Sequence, residues 1–306
     1  MNTITASAPG KLLLMGDHAV VYKNPCLVTA VSERLSVSVT ESSDGVSHFL
    51  TPGVSDTRFI EAALAVAKKH WRQPFDALSI TTQSMFSGNY GLGSSAAVTV
   101  ATLFALGEYC RKPVSKKELF SMAYEAILSV QRVGSGFDAA SAIWGGTLWY
   151  DRLGKTITPV PHTPMPLVVG FSGVKADTPT IVAEVAKKYE EQREKVSRIF
   201  AAIAKLTTDA KAKTEEGDWE RVGKLMDFNQ EYLRDLGVSS ERLESLIVAA
   251  KGAGAWGAKL SGAGGGDCMI AMVPPEKQPD VSRAIEQAGG KVIHITPQAV
   301  GVRREP

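Results

Sequence analysis

Residues 91–97 read Gly91-Leu92-Gly93-Ser94-Ser95-Ala96-Ala97 and run straight into the apolar stretch Val98-Thr99-Val100-Ala101-Thr102-Leu103-Phe104-Ala105-Leu106. A permissive backbone comes first, two hydroxyls next, and a sequence suited to a buried helix last. That order offers several unpaired N–H groups at a positive helix end, an arrangement that receives a phosphate. The same residues also fit a glycine turn capped by Ser94 ahead of a core helix. The heptapeptide alone does not separate the two readings.

Outward from this bend the chain alternates strand and helix signals. Upstream, residues 4–16 begin as a strand and turn at Pro9-Gly10 into Leu12-Leu13-Leu14-Met15, and Leu35 to Thr40 alternates apolar and polar side chains as a half-buried strand does. Thr57 to Trp71 has helical spacing and ends in Lys68-Lys69-His70, which suits a helix carboxyl end. Leu78 to Thr82 is a strand leading into the bend. Helices are expected over 94–110 and 115–131, and a hairpin from Thr147–Tyr150 and Ile157–Val160. The Pro-rich segment Pro159 to Pro166 is the best boundary, dividing the chain into 1–162 and 163–306. Beyond it come a strand at 167–171, a mixed-charge helical stretch over 180–235 broken at Glu216-Gly217-Asp218, a helix at 239–252, strands at 267–273 and 291–296, and a helix at 278–288. Strands and helices mix without strict alternation, which favours α+β.

Composition narrows the function classes. The 306 residues carry 34 basic and 32 acidic side chains, a formal charge of +2, so neither nucleic acid nor an anionic membrane is expected as the main partner. The amino terminus lacks the basic and apolar regions of a secretory signal, and no apolar run approaches the roughly 20 residues of a membrane span, so a cytoplasmic protein is expected. Cys26, Cys110 and Cys268 are far apart and have no metal-ligand spacing; they are expected to be reduced and buried.

Two more glycine-rich segments accompany the first: Ser7 to Tyr22, SAPGKLLLMGDHAVVY, and Lys259 to Cys268, KLSGAGGGDC. Neither has the spacing of a Walker A loop or of a dinucleotide-binding fingerprint. Three dispersed loops can meet on one ligand only through the fold.

Together these segments, in this order, resemble the three motifs of the GHMP family of small-molecule kinases, and most of all its mevalonate kinase branch. GFSGVKADTPTIV (170–182) and the stretch 226–266 are also similar to that branch. The resemblance spans nearly the whole chain. It implies two α+β domains, an N-terminal ATP-binding domain with a mixed sheet and a C-terminal ferredoxin-like domain. It further implies transfer of the ATP γ-phosphate to the 5-hydroxyl of mevalonate in isoprenoid precursor synthesis, with ATP and Mg²⁺ required and a homodimer allowed.

The resemblance also assigns residues. Gly91, Leu92, Gly93, Ser94, Ser95 and Ala96 would cradle the phosphates, with Ser95 facing Mg²⁺, and Gly262, Ala263, Gly264 and Gly265 would close the site. Lys11 would contact the reacting hydroxyl and Asp138 would be the base. Asp17, His18, Ser135 and Thr178 would lie by the acceptor. Taken alone, Lys11 would be a surface lysine and Asp138 a helix cap. Two departures bear on the acceptor and the metal. The family reads Gly-Asn-Pro-Ser-Gly-x-Asp before its aspartate, whereas this chain reads Arg132-Val133-Gly134-Ser135-Gly136-Phe137-Asp138, closer to phosphomevalonate kinases. The family's metal-binding glutamate aligns with Ile127, so the metal would rely either on Ser95 with phosphates and water or on Glu125, two residues away, through a shifted helix.

Overall fold

The structure, a computed structural model, describes residues 3–52 and 56–306. β1 (Ile4–Met15) and β2 (Cys26–Glu41) form a long antiparallel ladder. The alternation at Leu35–Thr40 works as expected: Leu35, Val37 and Val39 are buried while Ser36 and Ser38 are half-exposed. β1 does not turn at Pro9-Gly10. It continues through with a register shift, Pro9 lying opposite Arg34 but Lys11 opposite Ala30. Proline has no N–H for the ladder, so the strand bulges there instead of ending.

β3 (His48–Leu50) runs parallel to β4 (Leu78–Ser84), which makes the sheet mixed. Helix α1 (Arg58–Trp71) buries Phe59, Ile60, Ala63, Val66 and Ala67. α2 (Ser94–Tyr109) is buried on nearly every side, as its continuous apolar run requires, and α3 (Lys116–Gln131) starts from a reciprocal Ser115–Glu118 capping box. The short helix α4 (Phe137–Trp144) leads into β5 (Thr147–Asp151), which pairs with β2 and with β6 (Thr156–Pro159).

The second sheet starts at β7 (Leu167–Phe171) and continues after α5 (Thr178–Glu191), α6 (Arg193–Glu216), α7 (Trp219–Leu236) and α8 (Glu241–Gly252). It is completed by β8 (Gly257–Ser261), β9 (Cys268–Met272) and, after α9 (Gln278–Gln287), β10 (Lys291–Ile293). The order β10-β7-β9-β8, antiparallel throughout, is the ferredoxin-like arrangement. Gly217, left-handed at φ 73°, and Asp218, which caps α7, make the break between α6 and α7.

The last strand, β11 (Arg303–Arg304), returns to β1. Arg34 holds this tail, donating to the carbonyls of Val300 at 2.7 Å and Gly301 at 2.9 Å, and its burial pushes its guanidinium down to about 10. Residues from the expected second unit thus complete the first sheet. Among the described residues, no helix is long and apolar enough to cross a membrane. Cys26 and Cys268 are buried free thiols, whereas Cys110 is only half-buried.

Candidate active site

The glycine bend opens α2 without a side-chain cap. Gly93 precedes the helix in a left-handed conformation, φ 79°, and Ser94 is the first helical residue rather than the cap. The earliest helical bond runs from Ala97 N–H to Gly93 O, 3.0 Å. The N–H groups of Ser94, Ser95 and Ala96 therefore lie ahead of the helical ladder, where an anion can take them. Leu92 is buried, so only its main chain can face a ligand; its carbonyl accepts Lys11 N–H at 2.9 Å, across the bulge that Pro9-Gly10 creates.

α4 repeats the device. Its N-cap is Gly136 at φ 85°, again with no side-chain cap, so Asp138 sits in the first turn and does not cap the helix. Asp138 Oδ1 lies 3.3 Å from Lys11 Nζ, buried and without a hydrogen bond, while the side chain as a whole is 36% exposed. Lys11 also donates to Gly91 O at 3.2 Å and stands 5.4 Å from the centre of the Phe137 ring. A Cβ on Gly93 would come within 3.1 Å of Lys11 Cγ and 3.5 Å of Asp138 Oδ1. The two glycine-capped helices thus aim their amino ends at one lysine. Sequence reasoning missed what steadies the second bend: Tyr150 donates its phenol to Ser135 O and Tyr124 donates to Gly134 O at 2.8 Å. Burial pushes the Tyr150 phenol well above its ordinary range, keeping it a donor. Ser135 itself is buried.

The first and third motifs clasp each other. His18, at φ 58°, sets Nε2 2.8 Å from Ala263 O. A carbonyl only accepts, and burial holds the imidazole below its ordinary value, so His18 is a neutral ring with its proton on Nε2 and Nδ1 left as an acceptor. Asp17, expected beside the acceptor, is fully buried and committed elsewhere. Its Oδ1 accepts Gly262 N–H at 2.9 Å, and its Oδ2 meets Lys259 Nζ at 2.7 Å and Asn229 Nδ2 at 3.3 Å. The short aspartate side chain stops at this inner shell.

The third loop divides between cleft and packing. Gly262 faces the cleft, since a Cβ there would lie 4.0 Å from Lys11 Nζ. Gly264 and Gly265 are small for another reason: side chains there would strike Val238 O and Ile181. Asp267, which sequence reasoning passed over, abuts the 91–97 bend so closely that any side chain on Gly91 would collide with its carboxylate. Its Oδ1 accepts Ala176 N–H at 2.9 Å and its own N–H donates to Val174 O at 2.7 Å. It therefore ties the segment ahead of α5 to the 91–97 bend. Desolvation pushes its carboxyl up, against the pull of the Ala176 N–H, Lys11 and Lys175. Thr178 opens α5 on the exposed rim, and Lys175 is exposed.

Glu125, expected as a possible metal ligand, is engaged by α1 in this structure. Its carboxylate pairs with Lys69 at 2.7 Å and His70 at 3.2 Å, both on α1. Half a helical turn separates it from Ile127, which is buried. The side-chain oxygens at the amino ends of α2 and α4 are the Ser94 and Ser95 hydroxyls and the Asp138 carboxylate, hard groups of the kind a small divalent ion takes together with phosphate oxygens and water.

Comparison with known proteins identifies the family and the fold. Residues 58–146 match the GHMP kinases N terminal domain and residues 210–291 match GHMP kinases C terminal. The mevalonate kinase of Pyrococcus horikoshii is 37% identical over 94% of this chain and 93% of its own length. The crystal structure of L. major mevalonate kinase in complex with R-mevalonate superposes with a TM-score of 0.83 at 24% identity, covering 96% of each chain. That of Streptococcus pneumoniae phosphomevalonate kinase superposes with 0.80 at 18% identity, covering 97% of this chain and all of that one. The solved structures share the fold and do not separate the two acceptors.

Proposed function

This chain belongs to the GHMP kinase family, and from that premise we infer that it transfers the γ-phosphate of ATP to the 5-hydroxyl of mevalonate, giving 5-phosphomevalonate and ADP. The observation that carries the acceptor is the 37% identity to a mevalonate kinase over nearly the whole of both chains. The site supplies the chemistry.

Phosphoryl transfer asks for positioning and charge stabilisation more than covalent work. The uncapped N–H groups at 94–96 and the backbone of Gly262 and Ala263 hold the triphosphate. Lys11 directs its ammonium at the acceptor hydroxyl and the departing charge. Asp138 accepts the alcohol proton as the oxygen attacks the γ-phosphorus and the bond to the ADP oxygen breaks. The 3.3 Å between the two side chains means that one hydroxyl can reach both. Mg²⁺, held by Ser95 with phosphate oxygens, would offset charge on the transferring group. Neutral His18 presents Nδ1 as an acceptor for a second hydroxyl of the substrate.

One observation favours a second acceptor. The segment Val133-Gly134-Ser135-Gly136-Phe137 follows the phosphomevalonate kinase pattern, and exposed Arg132 at its head could hold an extra phosphate. Purified protein given ATP with mevalonate or with phosphomevalonate, and assayed for ADP release, decides. Turnover of mevalonate is expected; turnover of phosphomevalonate alone would overturn the assignment.

A further inference from the structure

Lys259 is the one fully buried lysine among the described residues, in the middle of β8, and the reaction described above gives it nothing to do. Its counter-ion, Asp17, comes from the turn after β1 and is equally buried. Asn229 of α7 reaches the same carboxylate oxygen at 3.3 Å. The other oxygen takes Gly262 N–H, the next residue holds Ala263 O through His18, and Ser261 Oγ brackets Leu13, accepting its N–H at 3.0 Å and donating to its carbonyl at 3.1 Å. Apart from the Asn229 bond, which ties α7 to the same carboxylate, these contacts join the first motif to the third, and the backbone they fix, at Gly262, faces Lys11.

A buried ion pair is poor value as a stabiliser, because apolar groups of the same volume commonly serve as well or better. In some proteins such a pair instead specifies one geometry through the hydrogen bonds it fixes. We propose that Lys259 and Asp17 are a positioning pair for phosphoryl transfer: Lys259 holds the Asp17 carboxylate in the one place from which Oδ1 fixes Gly262 N–H and the chain at His18, and so sets the third loop over Lys11 and the donor phosphates. This rests on the kinase reading above. Neither side chain touches substrate, so the effect runs through Gly262, Ala263 and His18.

The test compares two double variants that both remove the charges. Asp17→Leu/Lys259→Met also removes the acceptor for Gly262 N–H, whereas Asp17→Asn/Lys259→Met keeps one. Asn/Met is expected to melt close to the wild type and Leu/Met somewhat lower, because Gly262 N–H and the Asn229 amide lose their acceptor. The Leu/Met protein should lose at least about tenfold in kcat, the scale of a misplaced reacting group, while the Asn/Met protein recovers most of it. Wild-type kcat in Leu/Met, or equal losses in both, would overturn the proposal. Should Leu/Met fail to fold, amide hydrogen exchange in the Lys259→Met single variant takes its place. Faster exchange at Gly262 together with lower kcat is expected, and unchanged exchange would overturn it. ATP titration by calorimetry, with no acceptor present, separates this result from the kinase reading: ATP binding by the wild type without turnover of either acceptor sinks that reading, and weaker binding by Leu/Met than by Asn/Met still supports the pair.

Discussion

Lys11 Nζ and Asp138 Oδ1 stand 3.3 Å apart although their residues come from a sheet strand and a helix of separate motifs, and the Asp138 oxygen is buried without a hydrogen bond. An unbonded, buried carboxylate oxygen next to an ammonium is held ready for a third polar group. Asp138→Asn keeps the shape and removes the proton acceptor, so kcat should fall by roughly 10²–10⁴ with nucleotide affinity retained. Lys11→Met should lower kcat by a similar order while leaving the fold intact. Steady-state kinetics with nucleotide titration checks both, and full activity in Asp138→Asn would remove it as the base.

Contact between Gly91 and Asp267 yields a pairwise prediction. Gly91→Ala meets two obstacles, a left-handed φ of 69° and the Asp267 carboxylate in the space its Cβ needs. The first costs about 1–2 kcal/mol; the collision must also be relieved, by shifting the donor loop or the 174–176 segment. Gly91→Ala should therefore raise the KM for ATP, and adding Asp267→Gly should restore part of the loss. A double variant no better than the single would show that the carboxylate is not the obstacle.

Asp267→Asn isolates charge from shape. Asparagine tolerates the φ of 57° and still accepts Ala176 N–H. The Asp267 carboxyl is raised in the folded protein, so its favourable contribution is full below the unfolded value of 3.8 and is lost as pH rises through the folded value. The variant should accordingly melt higher than the wild type at neutral pH, and the gap should close toward acid. Melting curves across that range check it, and a gap independent of pH would contradict it.

What could be read in the chain alone follows from how local each signal is. The repeat of apolar residues in α1, the alternation at Leu35–Thr40 and the Gly217-Asp218 break are local, and all appear where expected. The three glycine motifs stand out in the sequence because backbone freedom is itself a local property. β8 escaped because all five of its residues are buried, which erases alternation, and β11 because two residues carry no period. What sequence could not supply are the long-range partners: Asp17 reads as an acid beside a histidine, and only the fold brings Lys259 to its carboxylate. Asp267, Tyr124 and Tyr150 are likewise chosen by distant partners that no spacing encodes.

Glu125 offers a test of the metal assignment. Its carboxylate is held low first by Lys69 and then by His70, on the surface between α1 and α3. Glu125→Gln should leave the Mg²⁺ concentration for half-maximal activity unchanged and alter stability by no more than about 1 kcal/mol, the usual limit for an exposed pair. Ser95→Ala, in contrast, should raise the Mg²⁺ requirement. A Mg²⁺ titration that moved with Glu125 and not with Ser95 would reverse these roles.

His18 should make the clasp between the first and third motifs sensitive to acid. Burial is the largest influence and lowers its folded value below the 6.5 of a free imidazole, opposed by the Ala263 hydrogen bond and by Asp17, and aided by Lys259. A depressed value means that the unfolded chain binds the proton first. The contribution of His18 to stability is therefore complete above 6.5 and is lost as pH falls through the folded value. Asparagine is the replacement best suited to φ 58° and has no titration in this range. Between neutrality and mild acid the wild type should lose melting temperature faster than His18→Asn, even though the variant binds the acceptor less well at every pH. Parallel curves for the two proteins would mean that the ring is protonated as readily in the fold as outside it, and that burial does not hold its value down.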